Sequence, residues 1–253
     1  MCIRDSLWYQ VVAGRSHTCG LKTDGTLWCW GSVELGAPGV DAPAQVEART
    51  DWAAIDTEDS HTCGLLESGA LYCWGFNYHG QLGLGNTDSV WTPTRGGLST
   101  TWDQVAVGNY HTCGLRTGEI WCWGGNDDGQ LGFGDTGDRH SPARVGLEYD
   151  WNMLDAGDRH TCAVKQNGTL WCWGSTNSGR LGIGELGGAE RAEAPTRIGT
   201  DSDWVSVHIG WAHTCAVKQD HSVWCTGSNG DGQLGVADTN TRWRLTDQCC
   251  PLP

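Results

Sequence analysis

The chain has few of the residues that fill most protein cores. It carries only two Phe and two Met in 253 residues, and seven Pro. No apolar run approaches the roughly 20 residues that a membrane-spanning helix needs. Basic residues are also scarce, with 16 Lys and Arg against 30 Asp and Glu, a net charge of −14. A direct reader of nucleic acid carries a basic footprint, so nucleic acid is not an expected partner. The short Cys spacing of zinc modules is missing. No Lys-Ser/Thr closes a Gly-rich loop as a phosphate loop requires, and there is no Gly-x-Ser-x-Gly elbow. Acidic pairs such as Glu34/Asp41 have no visible partner for acid–base work. No secretory leader is visible. The expectation is a non-enzymatic chain with no cofactor and no bound metal.

What is abundant is Gly (38), Trp (16) and Cys (13). They recur in order. Five times a His-Thr-Cys is followed by a tight turn and a second Cys, at Cys19/Cys29, Cys63/Cys73, Cys113/Cys122, Cys162/Cys172 and Cys215/Cys225. A period near 50 residues marks a propeller or another repeat array. The first unit places Cys19 opposite Cys29, Gly20 opposite Trp28 and Leu21 opposite Leu27, around a Thr23-Asp24-Gly25 loop. The third unit is one residue shorter between its cysteines, so its loop shrinks to Thr117-Gly118 and the Cys pairing is kept. The fifth loop, Gln219-Asp220-His221, requires His221 at positive φ. A small residue follows the first Cys (Gly20, Gly64, Gly114, Ala163, Ala216). It faces a large aromatic (Trp28, Tyr72, Trp121, Trp171, Trp224), which lets the ring lie over the neighbouring strand.

Both faces of these hairpins are apolar, one with Cys and Leu or Val, the other with Trp. Such a sheet must be covered on both sides. Upstream runs begin at Trp8, Trp52, Trp102, Trp151 and Trp204. Downstream segments carry Pro43, Pro93, Pro142 and Pro195, which suits edge strands. The fold class is all-β, a β-propeller whose blades are antiparallel sheets of three to four strands, each with a Cys-Cys linked hairpin. The repeats span about 7–50, 51–100, 101–149, 150–202 and 203–248. Residues 1–6 read as a non-native leader and 249–253 as a tail.

The opposed cysteines suit disulfides, and oxidising compartments are where those persist. Each would close a loop of about ten residues, worth at most roughly 2–3 kcal/mol. Free buried thiols are the rival reading. Cys249 and Cys250 are left over, and Cys2 falls in the leader. With disulfides the location is extracellular, periplasmic or at the cell surface. The motif histidines His17, His61, His111, His160 and His213 are expected to bond backbone in their own or the next blade, rather than to bind metal. Asn126-Asp127-Asp128-Gly129 and Asp135-Thr136-Gly137-Asp138 suggest calcium, but Asn, Asp and Gly are also what turns use. Asn167-Gly168-Thr169 is a glycosylation sequon at a hairpin tip.

The stretch Gly75-Phe76-Asn77-Tyr78-His79-Gly80-Gln81-Leu82-Gly83-Leu84-Gly85 resembles the signature of the RCC1 (regulator of chromosome condensation) repeat. So do Gly124 to Gly134, Gly174 to Gly184 and Gly227 to Gly235. Gly80, Gly83, Gly129, Gly132, Gly179, Gly182, Gly232 and Gly235 are the repeat glycines with an expected structural role. The likeness covers about Trp8 to Leu245 and is to the secreted, cysteine-rich bacterial type. The first unit departs from it, keeping only Leu35-Gly36, and the fifth has Thr226 where the others have Trp. The family fold is a β-propeller, usually seven-bladed. The five visible repeats are expected to be part of a six- or seven-bladed ring, with a closed ring of five as the alternative. A plant ultraviolet sensor shares the fold, but its Gly-Trp-Arg-His-Thr motif is matched only around Gly210-Trp211-Ala212-His213-Thr214.

The resemblance implies an interaction scaffold, monomeric as a propeller, with an unidentified protein or glycan partner. Its inter-blade loops would do the contacting: Val33 to Gln45, Asn86 to Gly97, Asp135 to Ser141 and Glu185 to Ala194. The alternative is guanine-nucleotide exchange on a small GTPase, as in the family's founder. An enzyme acting on polysaccharide would need paired carboxylates at the ring mouth.

Overall fold

In a computed structural model the described residues are 7–32, 41–97, 101–184 and 190–247. The expected leader, the tail with Cys249 and Cys250, Cys2, and the loop segments 33–40 and 185–189 lie outside them. Five four-stranded antiparallel sheets follow one another along the chain. The first contains β1 (Trp8–Ala13), β2 (His17–Lys22), β3 (Leu27–Gly31) and β4 (Ala44–Gln45). The second contains β5 (Trp52–Thr57), β6 (His61–Leu66), β7 (Leu71–Gly75) and β8 (Val90–Arg95). The third has β9 (Gln104–Val107), β10 (His111–Arg116), β11 (Glu119–Gly124) and β12 (Arg139–Arg144). The fourth has β13 (Trp151–Ala156), β14 (His160–Lys165), β15 (Leu170–Ser175) and β16 (Arg191–Arg197). The fifth has β17 (Trp204–Ile209), β18 (His213–Lys218), β19 (Val223–Gly227) and β20 (Arg242–Asp247). Strand order equals chain order in each sheet, so Pro93, Pro142 and Pro195 sit on the outer edge strand. There the missing N–H costs no ladder bond.

The hairpin register is the one the spacing predicts. Cys19 faces Cys29, Gly20 faces Trp28 and Leu21 faces Leu27. Cys113 faces Cys122 despite the shorter loop, whose Thr117 and Gly118 both take positive φ (49° and 78°). That is the two-residue turn a twisted hairpin favours. His221 adopts φ 68°. All five cysteine pairs form disulfides, with Cα atoms 4.1 Å apart.

The core lies between blades rather than within them. The Cys/Leu face of one blade meets the Trp face of the next. Cys19, Leu21, Leu27 and Cys29 pack against Trp52, Ile55 and Trp74. Cys63, Leu65, Leu71 and Cys73 pack against Trp102, Val105 and Trp123. The same pairing recurs at the next two interfaces. In the fifth blade Cys215 and Val217 are half-buried, and among the described residues no blade follows them.

One packing reason differs from the sequence expectation. The small residue after the first Cys does not mainly make room for the aromatic across the pair. A Cβ on Gly64 would come within 2.7 Å of the Trp52 ring and one on Gly114 within 2.7 Å of Trp102. Each glycine seats the Trp that opens its own blade. That Trp then stacks on two further rings: Trp102 lies 6.4 Å from Trp121 and 5.7 Å from Trp123, and Trp151 lies 6.2 Å from Trp171 and 6.3 Å from Trp173. A cation caps these stacks, such as Lys22 at 3.9 Å from Trp28, Arg116 at 4.3 Å from Trp121 and Lys165 at 4.7 Å from Trp151.

The innermost strands β1, β5, β9, β13 and β17 contact one another in order. Their bridges alternate in kind. Gln10 both donates to the Ile55 carbonyl (2.7 Å) and accepts from its N–H (3.1 Å), and Gln104 does the same with Leu154 (2.7 and 3.2 Å). Between those pairs Asp56 accepts from the Val107 N–H (2.7 Å) and Asp155 from the Ile209 N–H (2.8 Å).

Candidate functional site

The turns from first to second strand and the Gly-rich loops from third to fourth strand lie at the same end of every blade. Both begin with structural work. His61 Nε2 lies 2.8 Å from Thr112 Oγ1 of the next blade, His111 Nε2 2.8 Å from Thr161 Oγ1, and His160 Nε2 2.9 Å from Thr214 Oγ1. His17 does the same with Thr62 at 2.9 Å. Thr112, Thr161 and Thr214 donate their single proton to the carbonyls of Gln81 (2.8 Å), Gln130 (2.9 Å) and Arg180 (2.7 Å). Their oxygens must therefore accept, and the proton of the neutral histidine sits on Nε2. Burial holds His61 and His111 down to about 3 and His17 to about 4, so the rings stay neutral. The partner is thus a side-chain hydroxyl of the next blade, not backbone as the sequence suggested. The five histidines do not converge, and no metal-holding cluster occurs among the described residues.

The Gly-rich loops are inter-blade staples. In the second, third and fifth repeats the motif Gln closes its own loop by accepting a backbone N–H: Gln81 from His79 (3.0 Å), Gln130 from Asp128 (2.9 Å), Gln233 from Asp231 (2.9 Å). Trp123 and Trp173 donate to the Gln81 and Gln130 carbonyls at 2.9 and 2.8 Å. Gly80 and Gly129 lie against the next blade's outer strand, where a Cβ would come within 2.6 Å of His140 Cα and 2.7 Å of Glu193 Cα. A Cβ on Gly83 or Gly132 would likewise come within 2.8 Å of the indole of Trp123 or Trp173, and one on Gly179 within 2.9 Å of Trp243 Cα. A Cβ on Gly182 would meet the Thr226 methyl at 3.0 Å, so at the fifth blade a threonine fills the Trp position. A Cβ on Gly232 would meet nothing within 4 Å among the described residues, while Gly235 keeps φ 68°. Asp128, Asp135 and Asp138 of the stretches that suggested calcium take part in ion pairs with Arg159, Arg139 and His79. Asn126 donates to the Asp135 and Gly137 carbonyls (2.9 and 3.1 Å), and Asp135 pairs with Arg139 at 2.7 Å.

Between these turns a cavity of about 810 Å³ opens at the inner ends of the blades. Every repeat contributes to it: Gly14 and Arg15, Glu58 and Asp59, Asn109 and Tyr110, Asp158 and Arg159, and Trp211, with Arg180 from the fourth Gly-rich loop. Such a volume is within the usual range for ligand sites. Its walls are charged. Asp158, 7% exposed, accepts from Asn109 (2.9 Å) and lies 3.6 Å from both Arg159 and Arg180. Arg15 stands 3.5 Å from Asp59 but is largely exposed. Burial pushes the Glu58 carboxyl up to about 7, and Asp155, Asp59 and Asp158 add to the push.

An aromatic cluster stands on the outer rim of the same end. Phe76 lies 5.4 Å from Tyr78 and 5.2 Å from Trp91, with Tyr78 70% and Trp91 44% exposed. Trp91 belongs to the predicted Asn86–Gly97 contact segment. Residues 135–141 form a tight turn fastened by Asp135 and Asp138, the latter reaching His79 at 3.2 Å. The sequence reading did not single out Glu58, Arg180 or the aromatic trio. The signal was available by comparing repeats. Glu58 stands where the others have Gly14, Gly108, Gly157 and Gly210, and Arg180 where they have Gln81, Gln130 and Gln233. At positions 76 and 78 the later repeats carry Gly, Ser, Asp or Asn.

The sequence matches the family model of the RCC1-like domain over residues 3–252. No curated protein matches it. Among solved structures it is similar to Prp20p of Saccharomyces cerevisiae, at 21% identity and a TM-score of 0.82 over 94% of this chain and 62% of that one. Human WBSCR16 superposes with a TM-score of 0.84 at 18% identity, covering 96% of this chain and 67% of that one. The ectodomain of the Physcomitrella patens receptor kinase CR4 gives 0.56 at 20% identity, over 90% of this chain and 52% of that one. The chain thus spans about 62% of the length of Prp20p. At these identities the likeness speaks for the fold.

Proposed function

The chain belongs to the RCC1-like domain family, and from that membership we propose that it is a non-enzymatic interaction scaffold working outside the cytoplasm. It engages a protein or glycan partner through the blade end that carries the axial cavity and the aromatic rim. The observation that carries this reading is the Phe76–Tyr78–Trp91 cluster, with Tyr78 and Trp91 exposed, carried on the second blade's Gly-rich loop and the start of β8. Exposed aromatics on a fixed frame supply contact area at small entropic cost. The disulfide in every described blade is consistent with an oxidising compartment. No helix among the described residues is long and apolar enough to cross a membrane.

The test is differential capture. Oxidised wild-type protein and a Tyr78→Ala/Trp91→Ala variant are immobilised and exposed to the extracytoplasmic fraction of the native source and to a glycan array. The scaffold reading predicts a partner held by wild type and reduced at least about tenfold by the variant, since two hot-spot aromatics contribute more than ~1.4 kcal/mol. Identical profiles would overturn it. Prp20p binds Gsp1p and histones. Accelerated nucleotide release from a small GTPase by the present chain would move the reading to nucleotide exchange.

A further inference from the structure

A repeat protein contains its own controls. Where most equivalent positions carry one residue for a structural reason, a charged exception needs a different reason. Two such exceptions meet in the axial cavity. At the turn before the motif histidine, glycine is required because a Cβ on Gly14, Gly108 or Gly210 would collide with the ring of His17, His111 or His213. The second repeat has Glu58 there, facing the cavity. In the Gly-rich loops the motif Gln closes its own loop, yet the fourth repeat has Arg180, which cannot accept that N–H. It turns into the cavity instead, with its side chain only 8% exposed.

Glu58 has no counter-ion among the described residues, and Arg180 has a single long ion pair, to Asp158 at 3.6 Å. The charged groups acting on Glu58 are Asp59, Asp155 and Asp158, all of its own sign, and it has no ion pair among the described residues. Arg180 uses Nε on the Asn177 carbonyl (2.9 Å), while Nη1 reaches only Trp211 O at 3.5 Å and Asp158 at 3.6 Å. Its Nη2 has no hydrogen-bond partner among the described residues. Asp158 already accepts from Asn109 and is shared with Arg159. A half-buried carboxylate with no counter-ion and a buried guanidinium with only a long one are both costly, and a guest that completes both would be bound for that reason.

We propose that the axial cavity binds a zwitterionic segment of peptide chemistry, its ammonium on Glu58 and its carboxylate on Arg180. Glu58 lies on the second blade and Arg180 on a loop packed against the fifth, so the guest spans the cavity. A singly charged guest would satisfy one wall and leave the other uncompensated. The cavity, about 810 Å³, holds a segment of a few residues. The inference rests on reading this end of the propeller as the binding face, and it names the chemistry of the central contact.

The experiment uses the intact oxidised chain and calorimetric titration with three blocked tripeptides: acetyl-Lys-Gly-Glu-amide, acetyl-Lys-Gly-Gln-amide and acetyl-Gln-Gly-Glu-amide. Two variants restore the repeat's own residues, Glu58→Gly and Arg180→Gln, and so fit their local backbones. The doubly charged peptide is expected to bind wild type about tenfold more tightly than either singly charged one. Glu58→Gly should abolish its advantage over the Gln-Gly-Glu peptide. Arg180→Gln should abolish its advantage over the Lys-Gly-Gln peptide. Equal binding of all three, binding unchanged in both variants, or no binding at millimolar peptide would overturn the proposal. Neither variant touches the aromatic rim. If the peptides fail while Tyr78→Ala/Trp91→Ala still loses its partner, this inference falls and the scaffold reading stands.

Discussion

Replacing Thr161 by Val tests how the blades are locked together. The side chains are nearly isosteric, so no cavity opens and the effect is confined to one hydroxyl. In the wild type that oxygen accepts from His111 Nε2 (2.8 Å) and donates to the Gln130 carbonyl (2.9 Å), with both Thr161 and His111 at 0% exposure. The Gln130 carbonyl keeps a second donor, the Trp173 indole at 2.8 Å, so it is not orphaned. The His111 N–H is. An unsatisfied buried donor costs about 1–3 kcal/mol, and the lost Thr–carbonyl bond about 1 more. The expected loss is about 2–4 kcal/mol. Thr18 provides the internal control. It holds the same motif position in the first blade but is only half-buried, and no motif histidine among the described residues reaches it. Thr18→Val should therefore cost about 0.5 kcal/mol or less. Guanidinium unfolding with disulfides intact, followed by tryptophan fluorescence, reads both, and unchanged m-values would show that stability alone moved. Equal losses in the two variants, or a loss below about 0.5 kcal/mol for Thr161→Val, would refute the His–Thr lock.

Other expectations use the same repeat logic. Gly129 and Gly232 share positive φ (74° and 75°), but only at Gly129 would a Cβ meet backbone, Glu193 Cα at 2.7 Å. Gly232→Ala should cost about 1–2 kcal/mol for backbone conformation alone and Gly129→Ala clearly more, as denaturant midpoints would show. Glu58 has its carboxyl raised to about 7 in the folded chain, so the folded state binds the extra proton, and its contribution to stability is lost as pH rises from about 4.5 to 7. Glu58→Gly should then gain on wild type between pH 4.5 and 8, by about 1–2 kcal/mol after screening is allowed for. The buried histidines titrate in both proteins and cancel from the comparison. Lys165 caps Trp151 and Trp171 with a side chain 7% exposed, paired to Glu148 at 2.7 Å. Lys165→Met should cost about 1–2 kcal/mol and Lys165→Arg less, measured by the same unfolding curves.

The within-blade structure was legible because it is local. Period-two alternation around a turn fixes which residues face each other, so the Cys19–Cys29 pairing, the two-residue turn at Thr117-Gly118 and the positive φ of His221 all follow from counting. Contacts between blades were not legible, because they join residues 31 to 59 apart in the chain. The repeat says that blades stack; it does not say that His111 will find a threonine hydroxyl, that Gly114 seats Trp102, or that Gln10 and Asp56 take turns at the axis. The candidate site was hidden for a related reason. Attention went to what recurs, whereas Glu58, Arg180 and Phe76-Tyr78-Trp91 stand out by not recurring.

Cysteine chemistry tests the account most directly, since an oxidised scaffold outside the cytoplasm is its central claim. Protein from its native source is alkylated without reductant, weighed intact and mapped by peptide mass. The account predicts ten protected cysteines, linked as Cys19–Cys29, Cys63–Cys73, Cys113–Cys122, Cys162–Cys172 and Cys215–Cys225. Alkylation of all thirteen once the chain is unfolded would contradict it and move the protein into a reducing compartment, where nucleotide exchange becomes the leading reading.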